Sequence, residues 1–248
     1  MSPTTKLSKS FHSAHPLIVG VVASGLATAA SHFAPVDHAA EVVGLVFLAA
    51  TYWGCLQADH ALSPRHYGLD FGGLLLPGPI DTKRILKETT RAFLIGTALT
   101  LLILPFFWLG FHFWYDVRAP FQAARVWKEY GSSPLLGMLS LFMAHLFVVA
   151  LPEEAFFRGY LQTSLDDRSP WSLRVLGLRL TLGLLLSSAI FSLGHLTTAP
   201  QLGRLAVFFP SLLFGVLRDK TGGIGASVFL HAQCNVLAAV LGRGYALY

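Results

Sequence analysis

Two adjacent carboxylates and an arginine sit inside an apolar run that extends from about Leu135 to Leu165, in the stretch Pro152-Glu153-Glu154-Ala155-Phe156-Phe157-Arg158-Gly159-Tyr160. An ionised carboxylate in hydrocarbon costs at least about 2.5–3.5 kcal/mol on insertion scales. It survives only where it is paired, faces a protein interior or lines a wet cavity. Helix geometry separates the two glutamates. Glu154 and Arg158 are four apart and share a face, so they can form an internal ion pair. Glu153 lies about 100° round from Glu154 and further still from Arg158. One glutamate is thus neutralised locally and the other is aimed elsewhere. A buried ion-pair network that fixes helix packing is the structural alternative, but intramembrane ionisable residues default to function.

The rest of the chain supports a membrane setting. Its 248 residues are 54% hydrophobic and only 12% charged, about half the charge of an ordinary soluble domain. Several apolar runs approach the roughly 20 residues needed to cross a bilayer core. The expectation is an all-α, polytopic membrane helix bundle of about seven transmembrane helices, forming a single transmembrane domain over 1–248. The spans read as Pro16–Phe33, Ala39–Gln57, Ala92–Tyr115, the glutamate-bearing run, Leu176–Thr198, about Leu202–Leu217 with Pro210 interrupting it, and Ile224–Leu241. The Gly- and Leu-rich stretch Tyr67–Pro79 reads as interfacial or re-entrant, and the first apolar run as a retained span, not a cleaved signal. Cys55 and Cys234 both fall in spans, so neither a disulfide framework nor a thiolate metal site is expected.

Basic residues in the connections set the orientation. Lys6, Lys9, Arg65, Lys83, Arg84, Lys87, Arg91, Arg168, Arg174, Arg218 and Lys220 fall on one side; Arg118, Arg125, Lys128, Arg204 and Arg243 fall on the other. The bias places the N-terminus in the cytoplasm and the C-terminus outside. The net charge of +5 then meets anionic lipid, not nucleic acid. With these boundaries Glu153 lies near the cytoplasmic side and His195 near the outer side. They can meet only if the fourth helix tilts or protrudes, or if the boundaries shift by several residues; boundaries are the weaker assumption.

Two more polar constellations follow on later helices. Phe191 and His195 are four apart, as are His231 and Asn235, and each pair shares a helical face. The lone histidines His112 and His145 read as packing or hydrogen-bonding residues. A glutamate, two histidines and an asparagine are the groups needed to activate water and to stabilise an oxyanion. All of these motifs lie in the second half of the chain, and the first three spans carry no obvious chemistry.

Glu153-Glu154-x-x-x-Arg158, Phe191-x-x-x-His195 and His231-x-x-x-Asn235, in that order on successive membrane helices, resemble the three motifs of the CPBP family. That family comprises the CAAX prenyl endopeptidases, bacteriocin-processing and self-immunity proteins, and bacterial glutamic-type intramembrane proteases. The resemblance covers about 135–241, which it marks as the catalytic core. It implies that Glu153 activates water with the help of His195, that His231 and Asn235 stabilise the tetrahedral oxyanion, and that Glu154, Arg158 and Phe191 support them. No cofactor or metal is implied. The implied substrate is a membrane-embedded or lipidated protein or peptide cut near one end, in a bacterial cytoplasmic (inner) membrane; some relatives trim C-terminal membrane-anchoring signals. Three other readings stand beside it. A non-catalytic immunity or adaptor protein has no need of all four polar groups. A zinc protease would draw His195, His231 and a glutamate from three helices, without a His-Glu-x-x-His pair. A proton-coupled transporter would use Glu153 as a carrier, but the chain shows no inverted repeat.

Overall fold

The computed structural model describes residues 15–57, 65–70, 80–129 and 133–247. Among them are eight helices: α1 (Pro16–Phe33), α2 (Ala39–Gln57), α3 (Thr82–Tyr115), α4 (Ala123–Glu129), α5 (Leu135–Arg168), α6 (Leu182–Thr198), α7 (Phe208–Thr221) and α8 (Gly225–Gly244). Leaving aside the short α4, they correspond in order to the seven expected spans. Five of them, α1, α2, α3, α5 and α8, are long and apolar enough to cross a membrane, and α6 is a shorter apolar helix. The outer surface is inside-out relative to a soluble protein. On α3 alone Phe93, Leu94, Leu101, Leu102, Phe106 and Phe113 are exposed, an apolar expanse that only lipid can cover. This is an integral multi-pass membrane protein. Most of the expected re-entrant stretch Tyr67–Pro79 lies outside the described residues.

Three expected boundaries shift, each for a local reason. Helix α3 begins at Thr82, not Ala92, because the Asp81 side chain accepts a hydrogen bond from the Arg84 amide and caps it. Its basic first turns, read as a loop, are helical. The expected span Leu176–Thr198 begins only at Leu182; before it, β1 (Ser172–Val175) and β2 (Leu178–Thr181) pair antiparallel. Leu176 and Gly177, with φ of 51° and 75°, turn this hairpin, both in the left-handed region that tight two-residue turns require. Thr181 then caps α6 by accepting from the Leu184 amide. Pro210, expected to interrupt a span, lies in the first turn of α7, where its missing N–H has no intrahelical partner to lose; the preceding Leu202–Val207 is a 3₁₀ segment.

Helix α5 is the centre of the bundle. Two wider π-type stretches, His145–Ala150 and Ala155–Gln162, flank the ordinary turn Leu151–Glu154. Such stretches recur at functional sites. From Ala155 to Leu165 α5 is continuously buried, enclosed by α1, α2, α6 and α7. Small residues permit this closeness. A Cβ added at Gly44 of α2 would lie 2.6 Å from the Val148 carbonyl oxygen and 3.3 Å from the Pro152 ring. Phe47 fills the space beside it, its ring centroid 5.3 Å from Phe156 and 5.1 Å from Phe157.

The arrangement removes the conflict of depth between Glu153 and His195. Helix α5 ends at Arg168 and α6 starts at Leu182 on the same side, linked by the hairpin. Fifteen residues back from Arg168, Glu153 is about 22 Å above that end, and His195, thirteen residues beyond Leu182, is about 20 Å above it. The two side chains come level.

Candidate active site

Glu153 and Glu154 leave the same turn of α5 in different directions. Glu154 is fully buried, and its Oε2 lies 3.3 Å from Arg158 Nε, the i, i+4 pair anticipated from spacing. The Arg158 guanidinium is also fully buried. It donates to Ser211 Oγ at 2.9 Å and sits over the rings of Phe191 and Phe214, 4.6 and 5.4 Å from their centroids. Desolvated cation–π contacts of this kind add to the carboxylate pairing. One turn further on, Gln162 Nε2 donates to the Gly215 carbonyl and to Asp219 Oδ1. Arg158 and Gln162, four apart on α5, thus bond to Ser211, Gly215 and Asp219, each four apart on α7, while Glu154 reaches this row through Arg158.

Glu153 faces the other way. Together with His195, Phe157 and Phe191 it lines a cavity of about 150 Å³, closed by Ser24, Ala27, Thr28 and Ser31 of α1 and by Val43 and Phe47 of α2. The first two spans, expected to carry no chemistry, therefore form a wall of the site. Glu153 Oε2 is buried without a hydrogen-bond partner. His195 Nδ1 is 3.0 Å from the Phe191 carbonyl oxygen. A carbonyl only accepts, so Nδ1 carries the proton and donates it, which leaves Nε2 of the neutral ring with a free lone pair. Phe191 thereby serves twice: its ring supports Arg158 and its carbonyl sets the tautomer of His195.

His231, on α8, joins the two glutamates. Its Nδ1 is 2.9 Å from Glu154 Oε1 and its Nε2 3.6 Å from Glu153 Oε2, and its ring stacks on Phe214 at 4.9 Å. Glu154 thus serves Arg158 through one oxygen and His231 through the other, a second role that spacing along a single helix does not reveal. Asn235 lies one turn beyond His231, half-buried, and makes no hydrogen bond to Glu153, Glu154 or His195 among the described residues. Sequence reasoning also missed Ser211, Phe214 and Ser24, none of which carries a spacing signal. No group of three or more His, Cys, Asp or Glu side chains among the described residues is arranged to hold a metal ion.

Residues 133–237 match the family model described as type II CAAX prenyl endopeptidase, Rce1-like. The match supports membership of the CPBP family. The matched segment runs from the residue before Pro134 into α8, so it contains α5, α6 and α7 and all three polar motifs. Helices α1, α2 and α3 lie outside it. No curated protein and no solved structure matches the chain.

Proposed function

We propose that this protein is a glutamate-dependent intramembrane endopeptidase. The family is one of CAAX-type membrane proteases, and the observation that carries the mechanism is that Glu153 and His195, from two helices, line one cavity. Water in that cavity is deprotonated by Glu153, with His195 Nε2 accepting a hydrogen bond to orient it. The water oxygen attacks the scissile carbonyl, and the resulting oxyanion is stabilised by donors on α8, His231 Nε2 and the Asn235 amide. With Nδ1–H donating to Glu154, His231 donates from Nε2 as the imidazolium, a cation that faces both carboxylates. Glu153 then returns the proton to the leaving amine. No acyl-enzyme forms. The substrate class is a membrane-embedded or lipidated protein cut near one end.

The test is a comparison of membrane-protein C-termini in cells carrying the wild type, no copy, or Glu153→Gln. A set of C-termini shortened only with the wild type is expected; a Glu153→Gln variant that restores the wild-type pattern would overturn the reading. On the purified protein, exhaustive chelation is expected to leave cleavage unchanged. Activity that vanishes with a chelator and returns with zinc would replace the glutamate base by a metal.

A further inference from the structure

The cavity beside Glu153 has a wall that the family-matched segment does not supply. Ser24, Thr28 and Ser31 present hydroxyls from α1, at spacings of four and three that put them on one helical face. Two of the three are engaged: the Thr28 hydroxyl shares a 2.8 Å hydrogen bond with Thr197, and Ser31 donates to the Thr28 carbonyl at 2.7 Å. Ser24 differs. It is 9% exposed, and its Oγ has no partner. Thr51 and Thr100, also in spans, settle their hydroxyls on the carbonyl four residues back; Ser24 does not. Its side chain lies against Gly194, where an added Cβ would come within 3.9 Å of Ser24 Cβ, and Gly194 immediately precedes His195. Two buried oxygens without hydrogen-bond partners, Glu153 Oε2 and Ser24 Oγ, therefore belong to residues that line the same cavity. A buried hydroxyl in that state is costly unless something arrives to pair with it.

At the mouth the lining changes from hydroxyl to charge. Arg204, in the 3₁₀ segment after α6, is exposed and lines the cavity. It is close enough to act electrostatically on His195, and it forms no ion pair with any described residue. Among the described residues the other charge on the lining is Glu153, on the inner side.

We propose that this cavity is the substrate's binding site and that it selects for an anionic group. Ser24 donates to a main-chain carbonyl next to the scissile bond, and Arg204 pairs with a carboxylate of the substrate, an acidic side chain or the terminal carboxylate, on the mouth side of that bond. The Ser24 hydroxyl offers a partner to a peptide whose polar groups have none in the lipid. The assignment rests on the hydrolytic reading given above, but its charge selectivity does not.

Charge selectivity is measured by thiol labelling of purified Thr28→Cys protein in a background with Cys55 and Cys234 replaced by alanine. Two methanethiosulfonates of similar size are compared, the anionic sulfonatoethyl and the cationic trimethylammonioethyl reagent, each relative to its rate on free cysteine. The anionic reagent is expected to be favoured by about tenfold, the low end of charge-focusing in a cleft. Arg204→Gln should abolish the preference and Arg204→Glu should reverse it. Equal labelling by both reagents, or a preference that survives Arg204→Glu, would overturn the anionic assignment. Substrate binding is read in cells from the C-terminal comparison, with Ser24→Ala and Arg204→Glu beside Glu153→Gln. If Glu153→Gln blocks trimming while Ser24→Ala and Arg204→Glu trim at the wild-type rate, the binding assignment fails and the hydrolytic reading stands. If no C-terminus depends on the wild-type protein, both fall, whatever the labelling gives. Ser24→Thr, which keeps the hydroxyl, should retain more trimming than Ser24→Ala; equal loss would reduce Ser24 to a packing residue.

Discussion

Helix α5 has two polar faces with opposite properties. On the α7 side, Glu154 and Arg158 are fully buried, Arg158 is tied to Ser211, and Gln162 is tied to Gly215 and Asp219. On the other side Glu153 borders a cavity, and its Oε2, 3.6 Å from His231 Nε2, accepts no hydrogen bond among the described residues. Adjacent residues of the same type thus sit in opposite settings. Charge that is enclosed and paired ties two helices together, whereas charge beside a cavity is left open to a ligand. His231 is the point of contact between the faces, because its ring touches both glutamates.

The sharpest way to break this comparison is to neutralise the cavity side. Glu153→Gln and His195→Ala should each abolish cleavage in purified protein that still elutes and melts as the wild type does. Residual cleavage in Glu153→Gln above the uncatalysed background would show that the base lies elsewhere. A smaller effect belongs to Asn235→Ala. Loss of one oxyanion donor typically lowers the rate by about 10²–10³, so slow but measurable single-turnover cleavage is expected. Wild-type activity in this variant would remove Asn235 from the oxyanion site, a role that no contact made by Asn235 here requires. The smallest effect tests the enclosed side: Ser211→Ala deletes one hydrogen bond to a charged partner, worth about 1.5–3 kcal/mol. It should lower the melting temperature and leave the turnover of the folded fraction near that of wild type. Reduced turnover with unchanged melting would mean that the α7 row takes part in the reaction.

What could be read from the chain follows the range over which each cue acts. The pairing of Glu154 with Arg158, and the divergence of Glu153 from both, are consequences of helical spacing within five residues, and the structure has them. The apolar helices α1, α2, α3, α5, α6 and α8 were likewise legible as apolar runs. Depth was not: the level meeting of Glu153 and His195 depends on a hairpin turned by Leu176 and Gly177, in a stretch whose apolar residues resemble the start of a span. The link between His231 and Glu154 spans 77 positions and arises from helix packing, which no local pattern encodes. Ser24 was hidden in a helix of small residues, where serine is as compatible with close helix contact as alanine. Only the register of α1 against Gly194 distinguishes it.

The division between the two glutamates is tested most directly by comparing Glu153→Gln and Glu154→Gln side by side in detergent, with thermal unfolding as the readout. Removing one partner of a buried ion pair strands the other charge at a cost of about 3–5 kcal/mol. Glu154→Gln, which leaves Arg158 and His231 without their shared carboxylate, should therefore melt well below the wild type and accumulate poorly in the membrane. Glu153→Gln should melt within about a degree or two of it, as expected of a substitution worth under about 0.5 kcal/mol. Equal melting temperatures and equal expression of the two variants, with equal loss of activity, would contradict the account.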